Sequence, residues 1–301
     1  MDEFILVKDL KKNKKYRKSF SKLAADTFRL DFEQWFEEGY CNDNYISYSY
    51  IHNDEVIANV SINKFTIVQN RKINKAIQLG TVMTDKNYRN KGLIRRLMNE
   101  IFKEYEEKVD FIYLFANNSV LNFYPKFGFN RVNETSYEIN TENIIYIEDI
   151  KNKKTTNIKK LNLDLKEDKK IIDKMCKNRV QVSNKLGVIK DEWPLKVYCN
   201  YIYRENLYYI KDDDAVAIME RNDKELILND ILSKKPINLD NIILKILEKD
   251  DKVIIFNFIA ESKKFKVSIK PKMDDDNALF VKNCKGEFKC ESVFFPITSH
   301  T

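Results

Sequence analysis

The chain has 301 residues, 43% apolar and 33% charged, the make-up of an ordinary globular protein of about two domains. Only six glycines occur, where average usage would give about twenty, and the closest two, Gly80 and Gly92, are twelve residues apart. This excludes the close-glycine motifs: the G-x-G-x-x-G dinucleotide turn, the G-x-x-x-x-G-K-[ST] phosphate loop and the G-x-S-x-G nucleophile elbow. With His52 and His300 the only histidines, His-x-x-x-His zinc chemistry is excluded too, and no metal is expected.

Residues 16–36 place Phe20, Leu23, Ala24, Thr27 and Phe28 at helical spacing. Residues 45–51 are rich in β-formers, and a polar turn, HNDE, leads into the alternating run 56–65, so a hairpin is expected. Residues 76–84 read as a buried strand, followed by a polar loop. A helix is expected from Gly92 to Tyr105, with Leu93, Leu97, Ile101 and Phe102 on one face. Residues 111–116 read as a short apolar strand, and 119–126 as a second helix, capped by Asn117 and Asn118 and closed by Gly128. Strand, crossover helix, strand implies parallel pairing in a mixed sheet.

The order recurs faintly further on: a helix over 168–178, a hairpin from 208–211 and 215–221, a strand at 225–232, a helix over 238–247 and an apolar run at 253–260. Two copies of one α/β fold are therefore expected, with a domain at 1–145, a linker at 146–160 and a second domain at 161–301. Net charge is +7, and the excess lies wholly in residues 151–301, because residues 1–150 carry 22 basic and 22 acidic side chains. Five lysines fall within residues 151–160 without interleaved aromatics, which reads as a solvated linker; no nucleic-acid partner is expected. The longest apolar run, 253–260, is too short to span a bilayer, and charges interrupt any leader-like start, so no membrane partner is expected. Five scattered cysteines read as free thiols of a reducing cytoplasm.

The segment Thr81–Arg96 carries chemistry. A buried strand runs into a basic loop, and Gly92 stands where a helix begins. A helix start offers unpaired N–H groups and the positive end of the dipole, so Asn90 to Ile94 suit a phosphate or pyrophosphate. Arg89 and Arg95 add charge-assisted hydrogen bonds.

Arg89-Asn90-Lys91-Gly92-Leu93-Ile94 resembles the coenzyme A pyrophosphate signature of the GNAT superfamily of N-acetyltransferases, [RQ]-x-x-G-x-[GA]. Ile94 replaces the usual small residue, as in the bulkier version of the enhanced-intracellular-survival type. The run Asn117 to Phe129 resembles the family's N-x-x-[AV]-x-x-x-Y-x-x-x-G-F. The resemblance covers about residues 1–140. The second half has no Arg-x-x-Gly counterpart and looks like a degenerate GNAT repeat.

The resemblance implies tandem α/β folds with mixed sheets flanked by helices, and acetyl-CoA as co-substrate. It implies that Val82, Met83 and Thr84 expose backbone to the pantetheine arm. Arg89, Asn90, Lys91, Gly92, Leu93 and Ile94 take the pyrophosphate, with Arg95 near the phosphates. Asn117 or Ser119 holds the pantetheine further on, and Tyr124 matches the general acid that protonates the departing thiolate. Asp31, Glu37 and Glu38 are candidates for a general base, beside ordered water. In the enhanced-intracellular-survival type a terminal carboxylate serves near the amine; here the sequence ends PITSHT without that type's third domain, which makes Thr301 a remote candidate for the same role. The expected acceptor is the amine of a small molecule or a protein; oligomeric state is left open. A non-catalytic acyl-CoA-binding sensor on the same fold is the alternative.

Overall fold

Long antiparallel strands dominate the first half, because residues 45–84 intersperse apolar and β-branched side chains with polar ones and are broken by two tight turns. After β1 (Ile5–Lys8) and the helices α1 (Lys14–Phe28) and α2 (Phe32–Glu37), the chain forms β2 (Tyr45–His52), β3 (Glu55–Gln69) and β4 (Lys72–Thr84). The computed structural model describes residues 4–144, 157–272 and 276–301, so most of the lysine-rich linker lies outside the described residues.

Each hairpin turns on two residues with positive φ, Asn53–Asp54 and Asn70–Arg71. These are the backbone angles of a two-residue turn that matches the twist of its strands. The helical reading of 16–36 divides in two at Arg29, whose φ of 60° ends α1. Asp31 restarts the chain by capping α2, its side chain accepting from the Glu33 N–H at 2.9 Å.

Helix α3 (Leu93–Tyr105) carries the chain over to β5 (Phe111–Ala116), which pairs parallel with β4 through Ala76–Phe111, Ile77–Ile112 and Gln78–Tyr113. The inner face of α3, with Leu93, Leu97, Met98 and Ile101, packs on Ile77, Leu79, Ile112 and Leu114. Burying each such side chain contributes about 1.5–3 kcal/mol.

The chain then crosses over. β6 (Asn130–Val132) stays in the first sheet, but β7 (Thr135–Asn140) joins a second. There follow β8 (Ile158–Lys160), a helix Lys166–Cys176, β9 (Leu186–Ile189), which lies against β3, and a helix Glu192–Val197. Next come β10 (Leu207–Ile210), β11 (Ala215–Asn222) and β12 (Glu225–Ser233). A helix Leu239–Ile246, β13 (Val253–Phe256), β14 (Ser268–Pro271) and β15 (Ala278–Asn283) complete the set. The run 253–260 is strand only to Phe256. The Asn257 side chain donates to Asn229 Oδ1 at 2.6 Å, and the chain leaves the sheet there.

The first sheet has the order β1-β2-β3-β4-β5-β15-β6, and the second β8-β10-β11-β12-β13-β7-β14. The two orders correspond position by position. In each, the central pair is parallel, β4 with β5 and β12 with β13. In each, the sixth strand comes from the opposite half of the sequence: β15 sits between β5 and β6, and β7 between β13 and β14. A tandem arrangement of two mixed sheets flanked by helices fits this order.

The sheets share one apolar core. Ala76, Phe111 and Tyr113 of the first meet Tyr137, Ile254 and Phe256 of the second in one cluster. A buried ion network ties the chain between them. Arg179 donates to Asp191 through Nε at 3.1 Å and Nη2 at 2.5 Å, and to Asp230 through Nη1 at 2.7 Å. Thr298 also donates to Asp230. Burial pushes the Asp191 carboxyl above its ordinary value, against the pull of Arg179.

Strand exchange makes residues 1–145 an incomplete unit, since β5 and β6 lose the strand between them. Expressed alone, this fragment is expected to show no cooperative thermal transition by circular dichroism, and co-expression of residues 157–301 is expected to restore one.

Candidate active site

The site is built around the place where β4 and β5 part. Their pairing ends at Gln78–Tyr113, although β4 runs on to Thr84 and β5 to Ala116. Backbone groups on the facing edges beyond that point have no strand partner, and such groups need one from elsewhere. The cause lies partly in β4, which carries one extra residue against β3. Asn59 pairs with Met83 and Ser61 with Gly80, so Thr81 and Val82 together oppose Val60. This is a β-bulge, and Thr81 takes a φ of 48° within it.

Val82, Met83 and Thr84 lie on the last turn-free stretch of β4, with Met83 buried and the other two half-buried. A one-turn helix, Lys86–Tyr88, is capped by Asp85, whose Oδ1 accepts from the Asn87 N–H at 2.8 Å. Arg89 is extended, and Asn90 and Gly92 have φ of 62° and 70°. Gly92 then starts α3 with no side-chain cap. The first N–H groups of this thirteen-residue helix are therefore left for solvent or a ligand.

Arg89, Asn90, Lys91, Gly92 and Arg95 are exposed, Ile94 is half-buried against the core, and Leu93 is buried. Aromatic rings hold the cations: Lys91 lies 4.9 Å from the Tyr88 ring, Arg95 5.3 Å from Phe127 and Arg96 4.9 Å from Tyr50. Among the described residues no carboxylate forms an ion pair with Arg89, Lys91 or Arg95.

Past β5 the expected helix 119–126 is replaced by two short 3-10 turns, Asn118–Val120 and Tyr124–Phe127. Asn117 starts the first, its Oδ1 accepting from the Ser119 N–H at 3.1 Å and from Ser119 Oγ at 2.5 Å. Pro125 interrupts a continuous helix, and Gly128, with φ of 82°, closes the second turn.

Tyr124 is 5% exposed, packed by Phe123, Phe129 and Phe280. Burial pushes its phenol up to about 12, so it is a proton carrier through the neutral range. Its hydroxyl makes no hydrogen bond among the described residues. Phe280 belongs to β15, so the far half of the sequence completes the wall behind Tyr124.

Of the candidate bases, Asp31 is occupied as a helix cap. Glu37 and Glu38 are exposed. Burial works against ionisation of Glu38, but hydrogen bonds from Tyr40, Tyr201 and Gln34 outweigh it and hold the carboxyl below its ordinary value, which weakens it as a base. Thr301 lies at the bulge: a Cβ on Gly80 would meet its backbone oxygen at 3.0 Å. Its Oγ1 accepts from Asn63 Nδ2 at 2.6 Å and donates to Gln78. Asn63 Oδ1 in turn accepts from Trp193 Nε1 at 3.0 Å. His300, stacked 3.6 Å from Phe115, is held neutral by burial, its imidazole lowered to about 3. The polar chain Trp193–Asn63–Thr301–Gln78 was invisible to spacing arguments because its members are far apart in sequence.

Residues 13–132 match the family model described as an acetyltransferase (GNAT) domain. The amino-terminal part of the chain thus resembles a GNAT acetyltransferase domain, and this supports an acyltransferase. Among solved structures, a conserved protein from Enterococcus faecalis, titled a probable N-acyltransferase, is 17% identical; the match covers 94% of this chain and 73% of that one at a TM-score of 0.62. A GCN5-related N-acetyltransferase from Kribbella flavida is 10% identical over 94% of this chain and 72% of its own, at a TM-score of 0.56. At these identities the likeness is one of fold, and it extends over both sheets. Comparison with curated proteins gives no match.

An added Cβ at Gly92 would meet no atom within 4 Å, so the cost of Gly92→Ala is backbone strain alone. The substitution is expected to destabilise the protein by about 1–2 kcal/mol, read as a lower midpoint in chemical denaturation.

Proposed function

We propose that the protein is an N-acetyltransferase that uses acetyl-CoA and transfers the acetyl group to a primary amine by direct attack. One observation carries this reading: an uncapped helix start, flanked by Arg89, Lys91 and Arg95 without carboxylate partners among the described residues, stands directly beyond the open edge of β4. The residues fit the co-substrate. The N–H groups at the start of α3 and the three cations suit a pyrophosphate. The unpaired edge at Val82–Thr84 suits an amide-bearing arm that pairs as a strand would. Asn117 and Ser119 stand at the end of β5, on the other side of the parting.

When bound, acetyl-CoA supplies an activated acetyl group. Tyr124 holds a proton at its hydroxyl for the departing sulfur, and the same burial that raises the phenol also raises a thiolate's affinity for that proton. In this reading residues 1–145, completed by β15, form the catalytic unit. Residues 161–301 are a degenerate GNAT-like domain that helps to shape the acceptor pocket. The acceptor is a small-molecule or protein amine, and the place of action is the cytoplasm.

Isothermal titration is expected to show acetyl-CoA binding that weakens on Arg89→Ala and Arg95→Ala, more so at low salt; absence of binding to the unaltered protein defeats the proposal. Binding without turnover over a broad amine panel would instead identify an acyl-CoA sensor.

Tyr124→Phe is expected to lower kcat by about 10²–10⁴-fold. The acid form is the one required, and it persists below its raised value. Turnover of the unaltered enzyme should therefore show no loss from phenol ionisation up to about pH 10.

A further inference from the structure

Thr81 is the one β-branched residue of the chain with positive φ among the described residues. A β-branched side chain at φ of 48° is a strained arrangement that persists only where its surroundings enforce it. What enforces it is a polar cluster buried between β2, β3 and β4. The Asn59 amide donates through Nδ2 to the Thr81 carbonyl at 2.8 Å and to Ser61 Oγ at 2.9 Å. Its Oδ1 accepts from Ser49 Oγ at 2.8 Å. Ser61 Oγ is 2.8 Å from the Tyr45 hydroxyl. Asn59, Ser49 and Ser61 are fully buried and Tyr45 is nearly so.

Asn59 uses its amide oxygen and both amide hydrogens, so the side chain has one orientation. A buried network in which every member is satisfied resists distortion, because any shift leaves a polar atom unpaired. The network reaches a single backbone group of the bulge, the carbonyl of Thr81. That residue separates the paired part of β4 from the open edge at Val82–Thr84.

We infer that Asn59 is a positioning residue for acyl transfer: it holds Thr81 in the left-handed conformation and so aims the open edge of β4 at the reacting group. The inference rests on the acetyltransferase reading. The amide of Asn59 does not touch substrate; it acts through the bulge.

The test uses the full chain in four forms: unaltered, Asn59→Ala, Thr81→Gly, and both together. Glycine adopts positive φ without enforcement, so it removes the need for the Asn59 bond. With Thr81 in place, Asn59→Ala is expected to lower kcat by about 10- to 100-fold, with KM for the amine within about threefold. In the Thr81→Gly background the same change is expected to lower kcat by less than about threefold, since a positioning loss is then relieved. Equal losses of kcat in the two backgrounds overturn the inference, as does a fall in thermal midpoint without a fall in kcat.

If Asn59→Ala alone does not fold, recovery of folding and turnover in the double variant supports the inference. A double variant that stays unfolded, or that folds without turnover, overturns it. If the unaltered protein neither binds nor turns over acetyl-CoA, the acetyltransferase reading fails by itself. The thermal midpoints of the four forms then decide the Asn59–Thr81 coupling: equal losses in both backgrounds overturn it, and a smaller loss in the Thr81→Gly background supports it.

Discussion

Two parallel strands that pair for three residues and then part are the constraint on which the rest of this protein turns. Sheet backbone cannot be left bare inside a protein, so the parting must be enforced and its exposed groups provided for. Enforcement comes on one side from the bulge at Thr81 and on the other from β15, which stays paired with β5 through to Ala116. Provision comes from what surrounds the gap: a helix start without a cap at one end, a buried phenol at the other, and a polar chain from Trp193 to Gln78 along one side. A ligand that offers a phosphate, an extended amide arm and a leaving group that accepts a proton meets each of these in turn.

The second sheet repeats the first in strand order but not in chemistry. Its counterpart of β4 also has an irregular register, between Ile218 and Met219 of the neighbouring strand, yet Asp230 there is bound to Arg179 and Thr298. A position that opens a cleft in one sheet serves as an anchor in the other. The anchor is costly, because two carboxylates share one buried guanidinium. Such a cluster stabilises little by itself, whereas removing one partner leaves an uncompensated charge. Its effect is to fix the segment that carries Trp193, and the segment around Thr298, to β12 of the second sheet.

Much of this was legible in the sequence where the signal is local. The apolar stripe of α3 and the run of β5 follow from side chains within a few residues of one another, and Gly92 announces a backbone that needs φ above zero. The arms of the β3–β4 hairpin were less visible, since residues 72–75 are mostly polar and their pairing comes from the Asn70–Arg71 turn. The helix expected at 119–126 failed because Pro125 and the Asn117–Ser119 bond outweigh its spacing. Thr81 gave no sign at all: threonine is an ordinary strand residue, and its φ is dictated by Asn59 from the neighbouring strand. The exchanged strands were equally hidden: β7 and β15 were not among the expected strands, and nothing local in six residues tells which sheet receives them.

The exchange also bears on how the protein comes into being. A chain is made from its amino terminus, and β5, complete at Ala116, emerges far ahead of β15, the strand that covers it, which begins only at Ala278. Through that interval the nascent first sheet presents an unpaired, apolar edge, the kind of surface on which chains associate wrongly. The last strand among the described residues is thus also the one that closes the first sheet. Contacts of such separation slow folding, and a chaperone that shields the β5 edge during synthesis would find in this protein a natural client.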